Sequence, residues 1–176
     1  MSYSQSRKQE KLQRFVCWVA AFNATTLTLW CGYERLVARG QHRFLARLID
    51  QGFVRKTSFA LSRDEVLLLT PKGKRLAMVH DVDHADVITS PSKIAASRIP
   101  HLFAVQRCVI AFHDRSQAFL SERQLGATHI KKRPDALIHY RGQLTALETE
   151  ISPKYKQRMF WVFRHHIGML KDKHYE

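Results

Sequence analysis

The chain has 176 residues, 45% hydrophobic and 10% aromatic, enough to bury the core of one ordinary domain or two small ones and to exclude disorder over most of its length. Its 29 Lys and Arg against 15 Asp and Glu leave a formal charge of +14, an excess that on a folded protein calls for a polyanion, nucleic acid foremost. No run approaches the ~18 apolar residues of a membrane span, and no charged start leads into an apolar stretch like a signal peptide, so a cytoplasmic protein without a membrane partner is expected.

Leu12, Phe15, Val16, Val19, Ala20 and Phe22 fall at helical spacing behind the charged opening SQSRKQEKLQR and predict a first amphipathic helix. Thr25 and Thr26 can cap a short second helix through Leu27 and Trp30, with Gly32 as its end. A third helix is expected over Gln41 to Gln51, with Phe44, Leu45, Leu48 and Ile49 on one stripe, Arg43, Arg47 and Arg39 on or beside the other face, and Gly52 as the stop. FVRKTSFAL and VLLLT, separated by the turn-like SRDE, read as a two-stranded hairpin, and PKGKRLAMV resumes a helix after Pro71 and Gly73. Cys17, Cys31 and Cys108 are far apart in apolar sequence, without the paired spacing of zinc sites, and are expected to be reduced core residues.

Three helices followed by a hairpin is the order of a winged helix-turn-helix, whose third helix would enter the major groove while the hairpin wing touches backbone or minor groove. Residues 1–80 hold 14 basic and 5 acidic side chains, a net +9, against 15 and 10, a net +5, in residues 81–176. Gln41, His42 and Arg43 are the candidate readers of base edges, and Arg39, Arg47, Arg55, Lys56 and Arg63 the candidate contacts to phosphates or the wing's groove. For any one arginine a solvated surface is the plainer reading; the clustering is what points to double-stranded DNA. Such a module also serves elsewhere in dimerisation or protein docking, and pairing of two copies on two half-sites would make a homodimer.

HDVDHADVITSPSK lacks an apolar period and reads as a linker or an irregular crossing, which puts a boundary near residue 90 and divides the chain into 1–90 and 91–176. Beyond it, Leu102, Val105, Val109 and Phe112 predict a helix, and SQAFLSERQL a further helix or a short strand and helix. RPDALIHY and QLTALETEIS form a hairpin about Arg141 and Gly142. After Pro153, Met159, Phe160, Val162, Phe163, Ile167 and Leu170 mark a last amphipathic helix. Strand alternation sets Glu148 and Glu150 on one face, and Asp135 opens the partner strand. If the hairpin is tight, the three carboxylates meet and hold a hard divalent cation, Mg²⁺ or Mn²⁺, able to activate water against a phosphodiester. His165 and His166 point about 100° apart on a helix and are read as a helix face rather than paired ligands. Phe160, Trp161 and Phe163 are first of all core, with stacking on single-stranded DNA as the alternative.

Pro134-Asp135, a turn, then Glu148-Thr149-Glu150 between two helices resembles the PD-(D/E)XK restriction-endonuclease-like core, with Glu122 in LSERQL matching the acid often found on its preceding helix. A winged helix ahead of such a core, with an HLFAVQR-like helix and SER before PDA, is similar to the replication-relaxation and MobC-type plasmid mobilisation proteins. The resemblance implies an α+β chain: a winged helix-turn-helix, then a restriction-endonuclease-like α/β domain. It implies a relaxase-like nick of one strand at a transfer origin, catalytic roles for Asp135, Glu148, Glu150 and Glu122, and other mobilisation proteins as partners. Two departures stand out. Glu150 replaces the usual lysine, for which Lys154 is the available substitute, and the chain stops after one helix, so the core is expected to be truncated or its sheet incomplete. Tyr140, Tyr155 and Tyr175 are the candidate covalent nucleophiles of a relaxase. The alternatives are a non-catalytic relaxosome accessory, a winged-helix transcriptional regulator, or a basic adaptor for an acidic protein.

Overall fold

The computed structural model describes residues 3–80, 86–127, 133–151 and 164. The molecule is α+β, with five α-helices and two small antiparallel sheets among the described residues. In α1 (Tyr3–Phe22) the stripe of Phe15, Val16, Val19, Ala20 and Phe22 is buried as its period predicts. α2 (Leu27–Glu34) starts at Thr26, whose hydroxyl accepts the Leu29 N–H at 3.1 Å. Gly32 does not end this helix. The chain turns three residues later at Arg35, in the left-handed conformation with φ +55°, where the Leu36 N–H reaches the Cys31 carbonyl. The missing side chain of Gly32 instead makes room for Ile110, whose methyl carbons lie 3.6 Å from the position of a Cβ.

A 3-10 turn at Ala38–Gln41 leads into α3 (His42–Asp50), and Gly52, at φ +70°, turns the chain into β1 (Val54–Thr57). β1 pairs with β2 (Val66–Leu69) from Val54↔Leu69 to Thr57↔Val66. α4 (Pro71–His80) begins at Pro71 and not after Gly73. Gly73 lies in its first turn because a Cβ there would meet the Phe53 carbonyl oxygen at 2.1 Å.

β2 is buried on both faces, which is why it reads VLLL without alternation. Leu67 and Leu69 join Phe15, Trp30, Leu45 and Leu48, whereas Val66 and Leu68 join Ala24, Leu29, Ile94, Ile99 and Phe103. Thr25 adds a single bridge on its free edge, exchanging both backbone hydrogen bonds with Leu67 at 3.1 and 2.8 Å. The crossing near residue 90 is packed: Val87 and Ile94 are buried, and the Ile88 N–H donates to Asn23 Oδ1 at 2.8 Å. α5 (Ile99–Phe112) then buries Gln106 against the first half. Thr25 Oγ1 donates to Gln106 Oε1 at 2.6 Å, and Gln106 Nε2 donates to the Ala24 carbonyl at 2.8 Å. Val105, Val109, Ala136 and Ile138 belong to the same apolar cluster as Phe15 and Trp30, so one core runs through both sides of residue 90. Phe112, expected on the buried stripe of α5, is about half exposed and meets Tyr140 edge to face; Phe103 is buried instead.

The second sheet has the order β3-β4-β5, from β3 (Leu120–Ser121), β4 (Ala136–Tyr140) and β5 (Gln143–Leu147). Arg141 and Gly142, at φ +52° and +79°, make the two-residue turn expected there. β5 ends at Leu147, four residues short of the run to Ile151 that alternation required. The helix expected after Pro153 lies outside the described residues except for Arg164, which is helical and exposed. With it lie Lys154, Tyr155, Phe160, Trp161, Phe163, His165, His166 and Tyr175. No helix among the described residues is long and apolar enough to cross a membrane.

Candidate nucleic-acid interface and the Asp135 cleft

α3 is the most one-sided of the described helices. Leu45 and Leu48 are buried, and the half-buried Phe44 lies flat against Trp30, ring centroids 5.3 Å apart, and edge-on to Phe15 at 5.8 Å. That clamp fixes which side faces water: His42, Arg43 and Arg47 are exposed, as is Arg39 in the turn before them. Gln41 is engaged differently. Its Oε1 accepts a hydrogen bond from Lys11 Nζ, which also sits 4.6 Å from the Phe44 ring centre and 5.5 Å from that of Trp30, tying α1 to α3. Burial there pulls the Lys11 pKa below its ordinary value. In the hairpin, Lys56 pairs with Glu65 at 2.7 Å, Arg63 is exposed in the connection, and Arg55 is partly buried. Glu34, at the end of α2, is itself paired with Arg14 at 3.1 Å.

A second site lies between residues of the two halves. A cavity of about 250 Å³ opens between the end of α1, the start of α5, β3 and the approach to β4. Phe22, Ile94, Leu102 and Val105 form its apolar wall, and charged groups line the rest. Three charged contacts line it: Arg123 with Asp86 at 2.7 Å, Arg98 with Glu122 at 3.2 Å, and His101 Nε2 with Asp135 Oδ1 at 3.0 Å. Arg123, its side chain only 6% exposed, also donates through Nε to the Ala20 carbonyl at 2.9 Å. The hydrogen bond that His101 Nε2 donates to Asp135 raises the histidine's pKa above 6.5, against the opposing pull of burial.

Asp135 is the crossing point. One carboxylate oxygen holds His101, the other accepts the Thr149 N–H at 2.6 Å, and its carbonyl accepts the Glu122 N–H at 2.9 Å. The carboxylate thus takes a backbone donor beyond the last ladder pair, Ala136↔Leu147, and the chain leaves the strand there. Of the four acids singled out from sequence, Asp135 and Glu122 line the same cavity. Glu148 and Glu150 are exposed past the end of β5 and are not among its lining residues. Carrying the register one step further puts Glu148 opposite Asp135. Among the described residues no group of three or more His, Cys, Asp or Glu side chains stands where it could hold a metal ion. His101, Arg98 and Arg123 were not singled out from sequence. A histidine in the first turn of an apolar helix carries no local signal of its partner, 34 residues away. No family model, curated protein or solved structure matches this chain.

Proposed function

We propose that the chain binds double-stranded DNA as a winged helix-turn-helix, with α2 and α3 as the helix pair, α3 in the major groove and the β1–β2 hairpin as the wing. The observation that carries this reading is the outward face of α3, where Arg43, Arg47 and His42 stand in solvent behind a helix clamped by Leu45, Leu48 and Phe44. The order α1, Thr25 bridge, α2, α3, β1, β2 also supports it. Exposed guanidinium groups on a rigid element displace counterions from phosphates at little cost in ordering, and Arg43, near the start of α3, is in position for a base edge. The resemblance to mobilisation proteins supports a role as a relaxosome accessory or a regulator, acting beside other mobilisation proteins and without cleavage. Fluorescence anisotropy on a duplex at rising salt tests it. Affinity should fall steeply, with a slope of about −0.9 per neutralised phosphate, and an unchanged affinity in the Arg43→Ala, Arg47→Ala double variant would refute it.

Metal-dependent nicking is a second reading, supported by the meeting of Asp135 and Glu122 at one cavity. Those two carboxylates could take Mg²⁺ or Mn²⁺, which would supply an activated water. Two ligands already engaged by His101, Thr149 and Arg98 are a thin donor set for such a cation. Conversion of supercoiled plasmid to open circle by the pure protein with Mg²⁺, abolished in Asp135→Asn, would establish this reading over the first.

A further inference from the structure

Around the Asp135 cleft, positive charge exceeds negative. Each of the three carboxylates is already engaged, Asp86 by Arg123, Glu122 by Arg98 and Asp135 by the imidazole of His101. Lys93 and Arg133 line the same cavity, both exposed, and among the described residues neither has a carboxylate within ion-pair distance. The same cavity has an apolar wall that includes Phe22 and Leu102. The salt bridges around the cavity hold its walls in place, so a ligand need not order them. A volume of about 250 Å³ is near the lower bound of small-molecule pockets, which run from about 300 Å³, and limits the occupant to a small one. Two unmatched cations beside an apolar wall suit a ligand with a doubly charged phosphate at one end and a ring at the other.

We propose that this cleft binds a single nucleotide through its terminal phosphate, with Lys93 and Arg133 donating to the phosphate oxygens and the Phe22–Leu102 wall receiving the sugar or base. The site is separate from the face of α3 and does not depend on that face binding DNA. The nucleotide is either free or the phosphorylated end of a nucleic-acid strand; the chemistry recognised is the same.

Calorimetry on the whole chain separates these cases, with thymidine monophosphate, thymidine, a short terminally phosphorylated strand and its hydroxyl-ended twin as probes. Thymidine monophosphate should bind and thymidine should not. Loss of one charge-assisted hydrogen bond weakens binding about tenfold or more, so the Lys93→Ala, Arg133→Ala double variant should lose at least that much. Both side chains are exposed, so its thermal midpoint should match the parent's, and duplex binding through α3 should persist. Arg133→Lys should restore part of the affinity. A phosphorylated strand that binds better than the mononucleotide identifies a strand end; equal affinity identifies a free nucleotide. Equal binding of thymidine and its monophosphate, no binding at millimolar ligand, or undiminished binding by the double variant would each overturn the proposal.

Discussion

The basic side chains of α3 and those around the Asp135 cleft are of the same types but are held in different ways. Arg39, Arg43 and Arg47 project into water, and among the described residues no carboxylate pairs with them. Arg98, His101 and Arg123 are locked to acids, Arg123 also to a backbone carbonyl, at the seam where α5, β3 and β4 meet. A solvated, unpaired guanidinium contributes little to folding and is available to a partner. A paired group at a seam contributes to folding first. The lesson is that charge count alone, high in both halves, does not say which arginines bind; their partners do.

That contrast is easiest to break at Asp135. Replacing it with alanine removes the acceptor of the Thr149 N–H and the partner of His101 together, leaving donors without acceptors in a partly buried site. We expect Asp135→Ala to cost about 3 kcal/mol of unfolding free energy in urea titration, the upper end for an orphaned polar group. A loss below half of that would mean that water or a neighbour takes over the carboxylate's bonds, and that the cleft is less tightly built than its geometry indicates.

On α3 the same kind of substitution should act on binding alone. Arg43→Ala is expected to weaken duplex affinity by about 1–2 kcal/mol. It should leave the urea midpoint within about 0.5 kcal/mol of the parent, as for a surface residue with no structural partner. The two numbers together carry the test. A variant that loses stability as well as affinity would place Arg43 with Arg123 rather than apart from it.

How much of this was legible in the sequence follows from the distance between partners. The stripe of α1, the stripe of α3 with Gly52 after it, and the Arg141-Gly142 turn each depend on neighbours within a turn or two, and local period was enough to read them. Gly32 and Gly73 misled because each is glycine for the sake of a remote contact, Ile110 for one and the Phe53 carbonyl for the other, and not to end or precede a helix. Setting Glu148 and Glu150 on one face by alternation assumed that β5 continues to Ile151. It ends at Leu147, and just beyond that point the Asp135 carboxylate accepts the Thr149 N–H. Alternation cannot anticipate a carboxylate that bonds the backbone. His101 was passed over for the same reason, since nothing within the helix marks it as the partner of Asp135.

The smallest effect expected is also the one that distinguishes two histidines by sign. His101, raised above 6.5 by its bond to Asp135, stabilises the fold fully below 6.5, and that contribution fades as pH rises through its raised folded value. His113 is the reverse case. Burial lowers its pKa; its Nδ1 accepts the His139 N–H at 3.2 Å and its Nε2 donates to the Gln117 carbonyl at 3.1 Å, so both nitrogens are used in the neutral ring. Its contribution is present above 6.5 and is lost as pH falls from there through the lowered value. Urea titrations of the parent and His101→Gln at a series of pH values isolate the first group, since His113 is common to both proteins and cancels. The parent's advantage should be greatest on the acid side of 6.5 and shrink toward alkaline pH. An advantage that stays flat or grows with pH would mean that burial holds His101 neutral beside Asp135, and the pair at the centre of the cleft would then be a plain hydrogen bond rather than an ion pair.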